Sequence, residues 1–306
     1  MPQELQEWLP RAEILTFDEI TRLVRIASDL GVTKIRITGG EPLVRQNVLQ
    51  LFRQIGELTK VNDIGISTNG SLLAKKLENG ETMARALVKC RVRTANISLD
   101  TLDRETYHAI TGRDFLPQTL EGITAAKEAG FVRVKLNAVL MRGRNEEALP
   151  DLVRFARTEN LLLRFIELMP VTTTDVLTEA NFLPVGEARR RLEWEFGPLI
   201  PEPDFKTNGP ATYFRFGDSE QRIGFIGAMT NLHFCESCNK LRLTCEGKLR
   251  PCLGSHLEFD IKTPMRQGAS DEQLRHFFGE VVERKPEQHD FRDNYQPGRR
   301  MVAIGG

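Results

Sequence analysis

The sequence predicts an α/β fold: a partial parallel barrel of TIM type over residues 1–180, then a smaller, thiol-rich α+β region over 181–306. Three observations lead there. Short apolar strands alternate with helix-period segments in five strand–helix units of about 30 residues, which implies parallel strands joined by crossover helices. Polar and glycine residues gather at the carboxyl ends of those strands, at Gly39, Gly40, Glu41, Thr68, Asn69, Ser98, Asp100, Asn137 and Glu167, where such folds carry their chemistry. After about Met169 the pattern changes to Pro/Gly-rich turns, short strands and clustered cysteines. A barrel-like sheet fits better than an open doubly wound one, because no G-x-G-x-x-G opens the first βα turn and the polar ends are spread over every strand.

The elements follow in order. Thr16 and Glu19 form a capping box for a helix that runs to about Leu30 and stops at Gly31. Strand 32–38 ends in Gly39-Gly40-Glu41-Pro42, and a helix covers roughly 44–58. Strand 63–67 leads through Thr68-Asn69-Gly70 to a helix near 82–89, then to strand 94–98. A helix over 117–129 precedes strand 132–139, and a helix near 146–159 precedes strand 161–167. Residues 170–174 read as a polar linker and 184–194 as a short charged helix. Strands 212–216 and 222–226 and a helix near 271–283 complete the C-terminal region, which is expected to carry a metal and cap the barrel mouth.

Composition narrows the function. The 42 Lys and Arg balance the 42 Asp and Glu, which argues against nucleic acid or an anionic membrane surface as a partner, so anion binding must come from local cations. No apolar run is long enough to span a bilayer and no apolar leader follows Met1, so a cytoplasmic location is expected. Of five cysteines, four fall between Cys235 and Cys252, a pattern for a metal site in a reducing compartment rather than a disulfide framework.

Cys235, Cys238 and Cys252 are spaced C-x2-C-x13-C, with Lys240 and Arg242 just beyond the second thiol. Three thiolates suit an iron–sulfur cluster with one open position, while adding Cys245 would close a four-thiolate zinc site. The spacing alone favours neither. A zinc module for nucleic acid would want a basic surface, which the charge balance does not supply. A carrier protein activated at Gly305-Gly306 would be a small β-rich domain, which this chain is not.

Further segments turn the pattern into a family. Arg36-Ile37-Thr38-Gly39-Gly40-Glu41-Pro42-Leu43, Ser67-Thr68-Asn69-Gly70, Asn96-Ile97-Ser98-Leu99-Asp100, Val134-Lys135-Leu136-Asn137 and Arg164-Phe165-Ile166-Glu167-Leu168-Met169 occur in that order. With Phe234-Cys235-Glu236-Ser237-Cys238-Asn239 and the terminal glycines, the whole chain resembles the GTP 3′,8-cyclases, radical S-adenosylmethionine enzymes of molybdenum cofactor biosynthesis. The resemblance implies a radical S-adenosylmethionine fold. It also implies conversion of GTP to 3′,8-cyclo-7,8-dihydroguanosine triphosphate by a 5′-deoxyadenosyl radical that takes the ribose 3′ hydrogen.

Site residues follow from the same resemblance. Gly39, Gly40, Glu41, Ser98 and Met169 match S-adenosylmethionine positions, the carboxylate of Glu41 being offered to an amine. Arg36, Ser67, Lys135, Lys240, Leu241 and Arg242 match GTP positions, and an Arg and a Lys inside a barrel are costly unless they meet an anion. Cys235, Cys238 and Cys252 become ligands of a 4Fe–4S cluster whose open iron takes the purine, leaving Cys245 and Cys90 as structural thiols. Lys240 stands where the family has arginine, which keeps the charge and loses the bidentate fork. Lys240, Arg242, Gly305 and Gly306 are the expected catalytic residues, with the tail threading into the barrel mouth.

The family opens with a strand and a C-x3-C-x2-C loop for a second, radical-generating cluster, its last cysteine followed by Met-Pro. This chain starts Met1-Pro2 and has no cysteine before Cys90, so that strand and those ligands are expected upstream of Met1. As written, the chain is expected not to generate a radical; a truncated paralogue that only binds GTP is the alternative. Implied partners are the downstream cyclic pyranopterin monophosphate synthase, an electron donor such as flavodoxin or ferredoxin, and a second copy in a homodimer.

Overall fold

The computed structural model describes residues 9–171, 178, 180–217, 219–236, 238–293, 295, 296 and 298. The first helix, α1 (Phe17–Asp29), starts at the expected capping box: Thr16 accepts from the Glu19 amide at 3.1 Å and Glu19 from the Thr16 amide at 2.7 Å. Strand β1 (Lys34–Ile37) follows, then α2 (Val48–Gly56) and β2 (Asp63–Thr68). The helix expected from residue 44 begins later, because the Glu41 side chain caps a separate 3-10 turn at Pro42–Val44 and Asn47 turns the chain through a left-handed conformation, φ 58°.

Next come α3 (Met83–Lys89), β3 (Val92–Ser98), α4 (Arg104–Thr111), α5 (Leu116–Ala129), β4 (Arg133–Leu140), α6 (Leu149–Thr158) and β5 (Leu162–Glu167). Helix α4 was not foreseen. Only Tyr107 of its eight residues is buried, so no apolar stripe marks it; the Asp103 cap and Gly112 stop define it instead.

After β5, α7 (Val185–Phe196) leads to β6 (Leu199–Pro201), β7 (Thr212–Phe216) and β8 (Arg222–Ile226). These strands extend the same sheet, in the order β1-β2-β3-β4-β5-β8-β7-β6, with β8 parallel to β5. The sheet and its main core therefore continue across residue 180. A second, three-stranded sheet is formed by β9 (Arg242–Leu243), β10 (Lys248–Arg250) and β11 (Phe259–Asp260), followed by α8 (Lys262–Arg266) and α9 (Asp271–Glu283).

Alternation along the strands separates two faces. Ile64, Ile66, Ala95, Ile97, Leu136, Leu163 and Phe165 point to the helices and form the main core. The opposite residues are Arg36, Gly65, Ser67, Thr94, Asn96, Lys135, Asn137 and Arg164, which give the sheet a polar inner face. Asn208, in the β6–β7 loop, accepts from Lys34 at 2.8 Å and donates to Asp63, so this loop spans from the far end of the sheet back to its first strands.

Helix α1 joins the barrel to the C-terminal region. Leu23, Ile26 and Ala27 pack with Leu249, Ile261, Met265, Leu274 and Phe278 in a second core. Asp271 pairs with Arg22 at 2.8 Å and Arg25 at 2.6 Å across the same junction. Among the described residues, no helix is long and apolar enough to cross a membrane.

Candidate active site

The polar inner face is the first half of the site. Arg36 lies across its neighbour Gly65 and donates to the Ile66 carbonyl and the Thr94 hydroxyl, both at 3.2 Å. Gly65 makes this pose possible: a Cβ there would stand 2.6 Å from Nη1 and 2.7 Å from Cζ of Arg36. One row further along, Ser67, Asn96 and Lys135 are register neighbours on β2, β3 and β4. Lys135 is 1% exposed, and the buried Asn96 Oδ1 has no hydrogen-bond partner.

Arg164 was missed as a site residue, although it stands inside a quoted segment. Its guanidinium donates to Asn137 Oδ1 at 2.9 and 2.6 Å, and its stem crosses Gly224, where a Cβ would be 2.9 Å from Cγ. The signal was available as the period-2 row Lys135, Asn137 on one strand and Arg164 on the next.

These cations face one another. Burial first, then Arg164, Arg36 and Arg133, pull Lys135 down to about 7 while Asp63 opposes. Burial and then Arg164 bring Arg36 down to about 10 while Asp63 opposes, and burial lowers Arg164. Among the described residues, Arg36, Lys135 and Arg164 have no carboxylate ion-pair partner. Asp63 only partly offsets their repulsion, and cations so short of counter-charge are unfavourable unless an anion fills the space between them.

The strand ends form the second part. Gly39 has no atom within 4 Å of where a Cβ would be, so its backbone is open to a ligand. Glu41 is oriented by three donors: the Thr68 hydroxyl at 2.9 Å from both oxygens, the Leu43 amide at 3.1 Å and the Asn69 amide at 2.8 Å. Its carboxylate thus ties the end of β1 to the end of β2. Burial raises its pKa against those hydrogen bonds. Gly40 and Ser98 are exposed and Met169 is half-buried. Asp100, just beyond β3, accepts from the Val139 amide at 2.7 Å, and burial pushes its carboxyl up to about 6. Glu167 is closed off: it is fully buried and accepts from the Val185, Met229 and Thr230 amides and the Thr230 hydroxyl. That makes it a structural tie between β5, α7 and the loop after β8.

The cysteine loop is the third part. The Cys238 amide donates to the Cys235 carbonyl at 2.9 Å, the tight turn that a C-x2-C spacing implies. Cys235, Cys238 and Cys252 are all half-buried. Burial pushes the Cys252 thiol up, and Cys235 and Cys238 push the same way while Lys285 opposes. Cys245 is exposed, in the turn between β9 and β10 whose carbonyl accepts from the Leu15 amide at 2.7 Å, and Cys90 is buried after α3. Among the described residues, no three His, Cys, Asp or Glu side chains gather closely enough for one metal ion. A cluster takes each thiolate on a different iron, so its ligands stand wider apart than those on one zinc ion, with bonds of about 2.3 Å. Three half-buried thiols beside Lys240 and Arg242 fit such a group.

Lys240 links the halves. Burial lowers its pKa, Cys238 opposes, and Arg242, Arg164 and Arg36 lower it further, so this half-buried ammonium senses both the thiols and the inner-face cations. Arg242 is likewise lowered by burial and raised by Cys238 and Cys252. Leu241 packs beside the second core. Gly305 and Gly306, like Met1 and Pro2, lie outside the described residues.

Comparison with known proteins shows what the chain is similar to. Residues 4–156 match the Radical SAM superfamily and residues 161–291 match Molybdenum Cofactor Synthesis C. The GTP 3′,8-cyclase of Moorella thermoacetica is 42% identical over 96% of this chain and 88% of its own length. Those of Desulforamulus reducens and Rhizobium etli are each 40% identical, over 100% and 99% of this chain and 92% and 86% of their own lengths. The structure of Streptococcus suis SuiB bound to S-adenosylmethionine shares the fold, with a TM-score of 0.55 at 18% identity, over 90% of this chain and 62% of that one. By sequence over nearly its whole length, this chain belongs to the GTP 3′,8-cyclase family of the radical S-adenosylmethionine superfamily.

Proposed function

We propose that this chain binds GTP for cyclisation to 3′,8-cyclo-7,8-dihydroguanosine triphosphate, with the triphosphate held by Arg36, Lys135 and Arg164. The observation that carries the reading is the convergence of the buried Lys135 and Arg164 with the half-buried Arg36, from three strands, with no ion-pair partner among the described residues. Ser67 and Asn96 offer polar groups beside Lys135, and Asn96 Oδ1 has an acceptor position still open. Lys240, Leu241 and Arg242 bound the site on the side of the cysteine loop.

Cys235, Cys238 and Cys252 would hold a 4Fe–4S cluster, and Gly39, Gly40, Glu41, Ser98 and Met169 would hold S-adenosylmethionine. When bound, the cofactors supply the radical that takes the ribose 3′ hydrogen. The protein's own work is to fix the nucleotide against them, exclude water and neutralise phosphate charge. The reading keeps Gly305 and Gly306, which lie outside the described residues, as catalytic residues. Residues 1–180 act as the S-adenosylmethionine unit and 181–306 as the cluster unit. The reading extends to the cytoplasm, to a flavodoxin or ferredoxin as electron donor, to a homodimer, and to the cyclic pyranopterin monophosphate synthase as the consumer of product.

Reconstituted without oxygen, the chain should take up one 4Fe–4S cluster through its C-terminal thiols. Cys235→Ser should abolish it and Cys245→Ser should leave it, measured as iron and sulfide per chain. Equal loss of metal from Cys245→Ser would replace this assignment with a four-thiolate site.

A further inference from the structure

Lys285 lies just past the C-cap of α9 and reaches into the cysteine loop. An ammonium has three N–H donors. Here three acceptors surround it: the Pro251 carbonyl at 2.5 Å, the Lys240 carbonyl at 2.9 Å and Cys238 Sγ at 3.8 Å. Each belongs to a different piece of the loop. Cys238 is the second thiol of the C-x2-C pair, Lys240 opens the cation pair, and Pro251 immediately precedes Cys252.

The helix that leads to Lys285 is anchored at both its cap and its core face. Helix α9 begins with a reciprocal cap between Ser270 and Gln273, and Leu274, Phe278 and Val281 anchor it in the second core against α1. The helical frame therefore places the Lys285 backbone, and the ammonium reaches the loop from outside it.

We propose that Lys285 is a positioning residue that gathers the cluster loop and, by donating to the Cys238 sulfur, raises the reduction potential of the cluster held there. The inference rests on the reading of Cys235, Cys238 and Cys252 as cluster ligands. One-electron reduction adds a negative charge to the cluster and breaks no bond. A cation with an N–H aimed at a ligand sulfur stabilises the reduced form more than the oxidised one, and hydrogen bonds to sulfur and net charge are what tune such potentials.

The test is an anaerobic redox titration of the reconstituted full chain with dithionite, followed by electron paramagnetic resonance, for wild type, Lys285→Met and Lys285→Arg. The Met variant should keep its iron yet favour the reduced cluster about tenfold less, a midpoint about 59 mV more negative for one electron. Lys285→Arg should recover most of the shift. A loaded Met variant with the wild-type midpoint overturns the proposal. If the Met variant takes up no iron, lysine labelled with nitrogen-15 in a Lys240→Arg background decides: a nitrogen-15 coupling on the reduced cluster supports the contact, and its absence overturns it. A wild-type chain that takes up zinc and no iron overturns the cluster reading itself, and the proposal with it.

Discussion

In the barrel, Arg36, Lys135 and Arg164 stand on strands whose register is set by continuous ladders, whereas Cys235, Cys238 and Cys252 stand on turns separated by two short strands. The first group is held in place by neighbours chosen for size: Gly65 beneath Arg36 and Gly224 beneath Arg164. The second is gathered by a few polar contacts, chiefly those of Lys285. Preorganised side chains lose little freedom on binding, so the anion site proposed for the inner face should be ready even without metal. The loop has no such ladder, and the metal it would bind supplies much of its order.

The comparison breaks most directly at Arg164. Arg164→Ala removes a buried guanidinium and leaves Asn137 Oδ1 without its donor. GTP affinity, measured by calorimetry, should fall about a hundredfold, the equivalent of two charge-assisted hydrogen bonds of ~1.5 kcal/mol each. An unchanged affinity would remove Arg164 from the site.

Gly65→Ala is the next largest. The new methyl would overlap Arg36 Cζ and Thr94 Oγ1, 2.7 and 2.5 Å away, so the guanidinium must leave its pose. Stability should drop by about 1–3 kcal/mol for overpacking, with about a tenfold loss of GTP affinity. Chemical denaturation and calorimetry on the same variant separate the two effects. Loss of stability with affinity intact would show that the pose of Arg36 is immaterial.

Acidity gives a smaller, graded effect. Lys135 has a pKa of about 7 in the free protein, and a bound triphosphate must raise it. Binding then takes up a proton above about pH 7, so GTP affinity should weaken as pH rises from about 7 to about 9. Lys135→Met should flatten that slope. A slope that survives in the variant assigns the proton to another group.

Much of this was readable in advance because it rests on local rules. The capping box at Thr16 and Glu19, the turn of the C-x2-C pair and the five parallel strands with their crossover helices all follow from short-range pattern. What escaped depends on tertiary neighbours. Arg164 is an ordinary strand arginine until its row is aligned with Asn137 and Gly224. Glu41 reads as a free carboxylate until Thr68 and Asn69 are brought against it from another strand. Strands β6, β9, β10 and β11 are two or three residues long, too short for any alternation to show.

The inner-face cations are best tested with the metal-free chain and two ligands, GTP and guanosine, in parallel calorimetric titrations. Phosphate recognition by Arg36, Lys135 and Arg164 predicts that GTP binds at least about a hundredfold more tightly than guanosine, since two charge-assisted hydrogen bonds at ~1.5 kcal/mol each already account for that ratio. It also predicts that Arg164→Ala closes most of the gap by weakening GTP alone. Equal affinities for the two ligands, or a gap that persists in the variant, would contradict the account.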